Sequence, residues 1–316
     1  DVELVKHGTR EMPQLLEVKL ADGSKERIWW KNHQWRKKDT FSFQLSKKPV
    51  AIVLDPDVKT VDVDRRNNHS NGLPRKWMFR WPGMNWNHRD SYLHQWSPAL
   101  NYHEFDGYMP GLWLSRSYGS WQRIDLRIHY GLESQDFYWD LRSMRKPVHR
   151  GTGLRYNFHA FDQGGLSGIS WKTDKTRSRW DSSWPNYNSS VGFYSTNATD
   201  TSRTNLFEIG RVTMVFGKWT ISNSGQSLNV ELATTPAKIS DWNFNRLTLI
   251  GEASKTIKEI KLRSRFIYGR MNHSTNSSVP GQELYTINGA GAFDRFLRPY
   301  LRDESRFYGN TNLRHQ

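Results

Sequence analysis

Polar and apolar residues alternate with a period of two along much of the chain. In 123–132, apolar side chains occupy the even positions from Ile124 to Leu132, and polar ones occupy Arg123, Asp125 and Arg127. This period places the two sets on opposite faces of a β-strand. The ranges 137–142, 154–160 and 260–268 repeat the pattern, and 206–219, 228–233 and 244–250 show it more weakly. We therefore predict an antiparallel, barrel-like β-sheet domain of about ten strands over 111–316.

Shorter strand-like segments precede this domain. The segment 15–20 stops at Asp22-Gly23, a hairpin-turn signal, and 25–30 is the expected returning strand. The segment 49–54 is apolar throughout, which is typical of a strand buried on both faces. These features predict a small β-sandwich module over 1–72, with Val50, Ile52 and Leu54 buried in one strand.

The range 73–110 differs because aromatic residues crowd between Pro and Gly. We predict that it is an aromatic-rich connector packed against the next domain, with one or two helical turns over 89–96 and a capacity to bind protein partners. Its aromatic residues are Trp77, Phe79, Trp81, Trp86, Tyr92, Trp96, Tyr102, Phe105 and Tyr108.

Composition narrows the class of protein without deciding it. The chain has 316 residues, a formal net charge of +15, 14% aromatic residues and no cysteine. The lack of cysteine excludes a disulfide scaffold, a thiolate zinc site and a cysteine nucleophile. Segments of about ten residues with a period of two are the signature of a membrane β-barrel. A large soluble sheet with one solvated face produces the same pattern, so both classes stay open.

Candidate catalytic and metal-binding groups are few. His103-Glu104 lacks the second histidine of a His-Glu-x-x-His zinc helix, and no Gly-x-Ser-x-Gly nucleophile motif occurs. The carboxylate pairs Asp55/Asp57 and Asp62/Asp64 fit turn chemistry better than acid–base catalysis. We interpret His88, His94 and His103 as hydrogen-bonded imidazoles. The sequence thus predicts no catalytic, cofactor-binding or metal-binding residue in this chain.

Basic residues at the last alternating segment raise the question of nucleic acid. In some proteins, strand aromatics with Lys and Arg neighbours stack on single-stranded bases. Here Phe266 and Tyr268 share a face with Ile260 and Leu262, away from the charges, so we do not expect nucleic-acid binding. At a membrane rim the same charges meet lipid phosphates. The basic residues are Lys255, Lys258, Lys261, Arg263, Arg265 and Arg270.

Several stretches together resemble one family. The ranges 53–57 and 61–68, which include Asp55-Pro56-Asp57 and Arg65-Arg66, are similar to the closing strand of the small β-domain in gluzincin aminopeptidase-like zinc peptidases. The range 82–90 resembles the connector of bacterial members that carry a C-terminal extension. The range 102–112 resembles the first strand of that extension, which is related to bacterial surface-antigen barrels, and 280–285 and 312–314 resemble its later strands.

The resemblance implies a non-catalytic role for this chain. Members of this family carry the zinc-binding His-Glu-x-x-His in a domain before the β-module, and no position here matches it. We therefore expect this chain to be the non-catalytic, membrane-anchoring or scaffold portion of a surface-located zinc metallopeptidase, with zinc only in a missing catalytic domain. Outer-membrane lipid is the expected partner, and the bacterial outer membrane or cell surface is the expected location. The alternative is a soluble β-rich protein that binds a glycan, a lipid or a protein without enzymatic activity.

Overall fold

The structure is a computed structural model in which the described residues are almost entirely β. It describes residues 2–5, 13–30, 38–60, 62, 64–80, 89–103, 106–146, 154–177, 186–200, 209–257, 260–274 and 279. Within these ranges there are seventeen strands and one short 3-10 helix, Arg65–Asn67, and no α-helix. The all-β fold class is thereby confirmed. No helix in this part of the chain is long and apolar enough to cross a membrane.

The strands lengthen along the chain. The first six are short and the later ones have nine to fourteen residues. In chain order they are β1 Val2–Val5, β2 Gln14–Leu20, β3 Lys25–Trp30, β4 Lys38–Phe41, β5 Pro49–Leu54, β6 Arg75–Phe79, β7 Tyr92–His103, β8 Gly107–Tyr118, β9 Gln122–Tyr130, β10 Phe137–Arg145, β11 Leu154–Asp162, β12 Leu166–Arg177, β13 Asn186–Ala198, β14 Gly210–Asn223, β15 Gln226–Thr234, β16 Phe244–Ile257 and β17 Ile260–His273.

The chain divides into two compact units. The first comprises 1–95 with 116–120, and the second comprises 96–115 with 121–316. The predicted connector, 73–110, contributes β6, β7 and the beginning of β8 to these units. Within it, the helical turns predicted over 89–96 are wrong, because β7 starts at Tyr92 and runs extended to His103.

The first unit holds two small sheets. One pairs β1 with β4, and the other has the order β3-β2-β5. The turn between β2 and β3 lies at Asp22-Gly23, as predicted, and Gly23 has a φ of +86°, which glycine adopts without strain. The central strand β2 supplies the core of this sheet, since Leu16 and Val18 are completely buried.

The prediction that β5 is buried on both faces is wrong. The strand exists at Pro49–Leu54, but it lies at the edge of its sheet, where Val50 is 52% exposed and Ile52 and Leu54 are only half-buried. The apolar run identified a strand correctly, whereas the central position belongs to β2.

The large sheet has twelve strands in an uninterrupted order, from β17 at one end to β6 at the other. From β9 to β17 each strand pairs antiparallel with the next one in sequence. In the described residues this order is open, with no pairing between the first and last strands. The predicted antiparallel sheet is therefore present, as an open sheet.

Candidate functional site

The strand register of the second unit separates its side chains into two faces of opposite character. Residues directly opposite each other in antiparallel strands project to the same side of the sheet. The pairs Ile128↔Trp139 and Trp171↔Phe193 therefore belong to one side, and Asp125↔Arg142 and His159↔Ser170 belong to the other. We call the first side the exposed face and the second the buried face, although on β17 the second side is exposed as well, with Ile267 at 47%.

The exposed face is mostly apolar from β9 to β17, with Ser143, Asp162, Thr173 and Ser195 among its polar members. Its members keep much of their surface open in the described structure, with Val191 at 53% exposure. Following the register from strand to strand, it carries Ile124, Leu126, Ile128, Trp139, Leu141, Phe158, Ile169, Trp171, Val191, Phe193, Val215, Gly217, Trp219, Leu228, Val230, Leu232, Leu247, Leu249, Phe266 and Tyr268. Monomeric soluble proteins rarely expose a contiguous apolar surface of this extent.

Polar residues bound this apolar surface at both ends of the strands. On the exposed face, Ser167 and Thr173 bracket the apolar part of β12, and Ser189 and Ser195 bracket that of β13. Thr213 and Asn223 bracket that of β14. The same holds for Gln226 and Thr234 on β15 and for Asn245 and Lys255 on β16. The result is a band, the apolar band, with polar margins along both edges.

The width of the apolar band follows from the strand geometry. Its polar margins are six residues apart on β12 and β13, eight apart on β15 and ten apart on β14 and β16. At ~3.4 Å per residue these separations are ~20–34 Å along the strand. Strands tilted by about 40°, as in membrane barrels, would project this to ~16–26 Å, and the widest part matches the ~25 Å apolar band of such barrels.

The buried face carries charged groups that are paired with one another. The Asp140 carboxylate accepts two hydrogen bonds from Arg142, at 2.8 and 2.9 Å, and lies 2.9 Å from Nε2 of His159. Asp140 is only 7% exposed. On later strands Lys172 lies 3.1 Å from Asp174, and Arg246 lies 2.9 Å from Glu231. Burial of charges is costly unless they are paired and hydrogen-bonded, and here pairing accompanies burial.

Aromatic rings fill the remainder of the buried face and pack against glycines. Tyr194, Met214, Phe216 and Phe244 form a buried cluster with Trp242. A Cβ at Gly192 would lie 2.8 Å from the Phe216 ring, and one at Gly168 would lie 2.9 Å from the Phe161 ring. In both cases the ring belongs to the residue directly opposite the glycine. Glycine therefore lets these rings lie flat on the sheet.

The carboxylate pair Asp55/Asp57 has a structural role. Asp55 is buried, accepts hydrogen bonds from Lys59 N, Thr60 N and Thr60 Oγ1 at 2.7–3.0 Å, and pairs with Nη1 of Arg65 at 2.9 Å. Nη2 of Arg65 also donates to the Asp55 carbonyl at 2.6 Å. Burial alone raises the pKa of Asp55, but the hydrogen bonds from Thr60, Lys59 and Arg65 outweigh it and place the pKa below its usual value.

The neighbouring carboxylates also serve the local fold. Asp57 pairs with the exposed Arg27 at 3.1 Å and with Lys59 at 3.4 Å. Asp64 caps the 3-10 helix by accepting from Arg66 N, and Asp62 accepts from Asp64 N at 3.0 Å. The two predicted carboxylate pairs therefore hold the turn and helix after β5.

Among the residues that the structure describes, the histidines singled out in the sequence do not form a common site. His94 stacks on Trp77 with 4.6 Å between ring centroids. His88 lies outside the described residues, as does the side chain of His103. Among the residues that the structure describes, no group of three His, Asp or Glu side chains lies close enough to hold a metal ion.

The basic strand β17 follows its predicted division with one exception. Arg263 and Arg265 share one side, and Leu262, Phe266 and Tyr268 share the other, through pairings with β16. Arg270, however, is opposite Leu247 and therefore lies on the exposed face with the aromatics. Lys255, opposite Leu262, also lies on that face, at the other margin. Lys258 lies outside the described residues.

Fold and faces together define an all-β chain built on a large antiparallel sheet with an exposed apolar band and a buried charged face. Comparisons with protein-family models, with curated proteins and with solved structures find no match to this chain. The functional argument therefore rests on the physical character of the two faces.

Proposed function

We propose that the large sheet is a membrane-embedded wall that anchors the protein, with the apolar band against lipid acyl chains. The observation that carries this proposal is the pair of polar margins, for example Thr213 and Asn223 on β14. On β14, β15 and β16 they limit the apolar side chains to a height close to that of a bilayer core. The strands from β9 to β17 have nine to fourteen residues, and a transmembrane strand needs about 9–11.

The buried face supports the same assignment. A sheet in water normally places its apolar face in the core and its polar face in solvent. Here Asp140 and His159 are buried while Val191 and Trp219 are exposed. That inversion is the arrangement of membrane barrel walls, whose lipid-facing side is apolar and whose interior is polar.

We further propose that the anchor belongs to a surface-located zinc peptidase of the bacterial outer membrane. This part rests on the resemblance to gluzincin aminopeptidase-like peptidases. The residues that carry the resemblance, Asp55 and Arg65, form a buried ion pair, which suits a scaffold better than a reaction centre. The 316-residue chain should therefore show no aminopeptidase turnover with added zinc, and turnover abolished by a chelator would contradict this.

The open strand order favours a second candidate, a soluble sheet that binds a partner through its exposed aromatics. An unpaired strand edge does not occur in lipid, because its backbone groups would lack hydrogen-bond partners. The membrane proposal thus requires that the outer edge of β17 is paired in the bilayer. A soluble protein has no such requirement, since water satisfies the edge.

Site-directed spin labelling distinguishes the two candidates, and the absence of native cysteine makes it direct. Single cysteines replace Ile128 and Val191 in the apolar band, Asn223 at its margin and Ser24 in the exposed hairpin turn of the first unit. In lipid vesicles, labels at 128 and 191 should collide with oxygen and be shielded from a water-soluble nickel complex. The label at 24 should show the reverse, and that at 223 should be intermediate.

Two results would overturn the membrane proposal. One is equal nickel accessibility at 191 and 24 in the presence of vesicles. The other is a chain that stays monodisperse without detergent and does not associate with vesicles. Either result would leave the soluble binding sheet as the function.

A further inference from the structure

A depression lies in the exposed face between β13 and β17. It has a volume of about 710 Å³, and its lining includes Val191, Gly217, Trp219, Leu232 and Leu247. This volume is within the ~300–1,000 Å³ of small-molecule sites. The depression is therefore large enough to hold part of a lipid molecule.

The depression exists because Gly217 has no side chain in a row of apolar residues. In the register, Gly217 lies between Val191 on β13 and Leu232 on β15, both of which project outward. The Trp219 ring leans over the gap, since a Cβ at Gly217 would lie 2.8 Å from the ring atom Cη2. One wall of the depression is thus an indole ring.

One end of the depression is polar and carries a cation. Its lining there includes Thr234, Asn245, Arg270 and Asn272. Asn245 and Asn272 are opposite each other at the margin of the apolar band, and Arg270 is one exposed-face position further in. The side-chain carbonyl of Asn272 accepts a hydrogen bond from Nε of Arg270 at 3.3 Å, which orients the guanidinium.

The position of Arg270 is informative because a cation on a lipid-facing side has a depth-dependent cost. At the bilayer midplane an Arg costs about 2–4 kcal/mol, but near the interface the cost falls to about 0–1 kcal/mol. Arg270 is three residues from the end of β17, beside the polar margin. It is therefore at the depth of lipid head groups, where phosphate is the available anion.

We propose that this depression binds one anionic phospholipid, with its phosphate on Arg270 and an acyl chain along Gly217 and Trp219. The inference rests on the proposed membrane function. Charge complementarity selects the ligand, because a guanidinium donates paired hydrogen bonds to phosphate oxygens. The apolar lining begins at Leu247, directly opposite Arg270, and continues across the strands through Leu232 and Gly217, where it accommodates the chain attached to that phosphate.

Tryptophan quenching tests this proposal with a probe that the site already contains. The full chain is reconstituted in vesicles of phosphatidylcholine and phosphatidylglycerol, with bromine on the acyl chains of one lipid at a time. The contribution of Trp219 is the difference between the wild type and Trp219→Phe. We expect phosphatidylglycerol to be favoured at Trp219 by about fivefold, the factor for one cation near an anionic surface.

Matched variants assign the preference to the guanidinium. Arg270→Gln should abolish the preference, and Arg270→Lys should retain most of it. Arg265→Gln, which removes a cation from the opposite face of the same strand, should leave it unchanged. Gly217→Leu, which fills the depression, should lower quenching of Trp219 by either brominated lipid.

The outcomes separate the two levels of the proposal. Quenching by both lipids without a preference, or a preference that survives in Arg270→Gln, would overturn the anionic lipid site and leave the membrane anchor standing. No quenching of Trp219 by any brominated lipid would overturn both. A loss of preference in Arg265→Gln as well would mean that general surface charge, not this site, selects the lipid.

Discussion

The ion pair between Asp55 and Arg65 gives a sharp test of what holds the first unit together. The two side chains are only 3% and 2% exposed, and 2.9 Å separates the carboxylate oxygen from Nη1. Asp55→Asn removes the negative charge and leaves Arg65 buried without its counter-ion. Removing one partner of a buried pair costs about 3–5 kcal/mol. Asparagine also tolerates the φ of +50° at this position, so the backbone is not an added cause.

The matched control is Asp57→Asn, two residues away. The partners of Asp57 are Arg27 and Lys59, whose side chains are 51% and 70% exposed. Exposed pairs are worth about 0–1 kcal/mol, because water screens them. The two substitutions remove the same charge from the same turn, but Asp55 is buried and also accepts hydrogen bonds from Lys59 and Thr60.

Hydrogen exchange of the β2 amides in the full chain measures how much each variant lowers the free energy of opening of the first unit. Where reclosing is faster than exchange, the exchange rate follows the free energy of opening. Asp55→Asn should accelerate exchange by about 150- to 4,000-fold, and Asp57→Asn by at most about fivefold. Adding Arg65→Met to Asp55→Asn should recover part of the loss, because no buried charge is then left unpaired. Equal acceleration by the two asparagine variants would refute the reasoning.

Three further predictions concern other parts of the molecule. Because the folded pKa of Asp55 lies below its unfolded value, its contribution is complete above about pH 4 and is lost as pH falls through the folded pKa. The urea midpoint of the first unit should therefore drop more on acidification in the wild type than in Asp55→Asn, where Glu17 and Asp22, whose pKa values are also lowered, still titrate. Gly192→Ala should destabilise the sheet by about 1–3 kcal/mol in thermal unfolding, because the new Cβ meets a backbone oxygen at 2.5 Å, whereas Gly251→Ala, whose Cβ would lie 4.0 Å from Phe266, should be close to neutral. Val191→Arg should destabilise membrane assembly by about 2–4 kcal/mol, and Asn223→Arg by at most about 1 kcal/mol. A negligible effect of both substitutions would indicate that Val191 is in contact with water.

The strands of the large sheet were predictable because their side-chain period is a local property. The even positions from Ile124 to Tyr130 lie on one side in the structure, as their alternation indicates. Which side is buried was not predictable, because a soluble sheet and a membrane wall share the same alternation. Burial depends on what covers each face, and that information is not contained in one strand.

Position within a sheet was the other property that the sequence left open. The apolar run of β5 predicted a strand buried on both faces, but pairing on both flanks makes β2 the central strand and leaves β5 at the edge. The Asp55–Arg65 pair needs the turn after β5 to bring together residues ten positions apart. The depression at Gly217 likewise depends on its neighbours Val191 and Leu232, which only the register supplies.

The side of the sheet on which Arg270 lies was predictable from the sequence, but the prediction did not separate it from the other basic residues. Arg270 differs by two and four positions from Tyr268 and Phe266, so strand alternation alone puts it on their side. Treating the basic residues of this strand as one set concealed the odd member. A single cation among apolar residues of the same parity, close to a strand end, is therefore a useful signal for a head-group contact.

The two faces of the sheet support the membrane proposal on energetic grounds. Each square ångström of apolar surface left in water forgoes ~25 cal/mol, and the exposed face leaves Val191, Trp219 and Leu232 uncovered. On the other side of the same sheet, Asp140 and His159 are desolvated, and hydrogen bonding between them offsets that cost. We therefore propose hydrocarbon on the exposed side, where Val191 would be stable and Asp140 would not be.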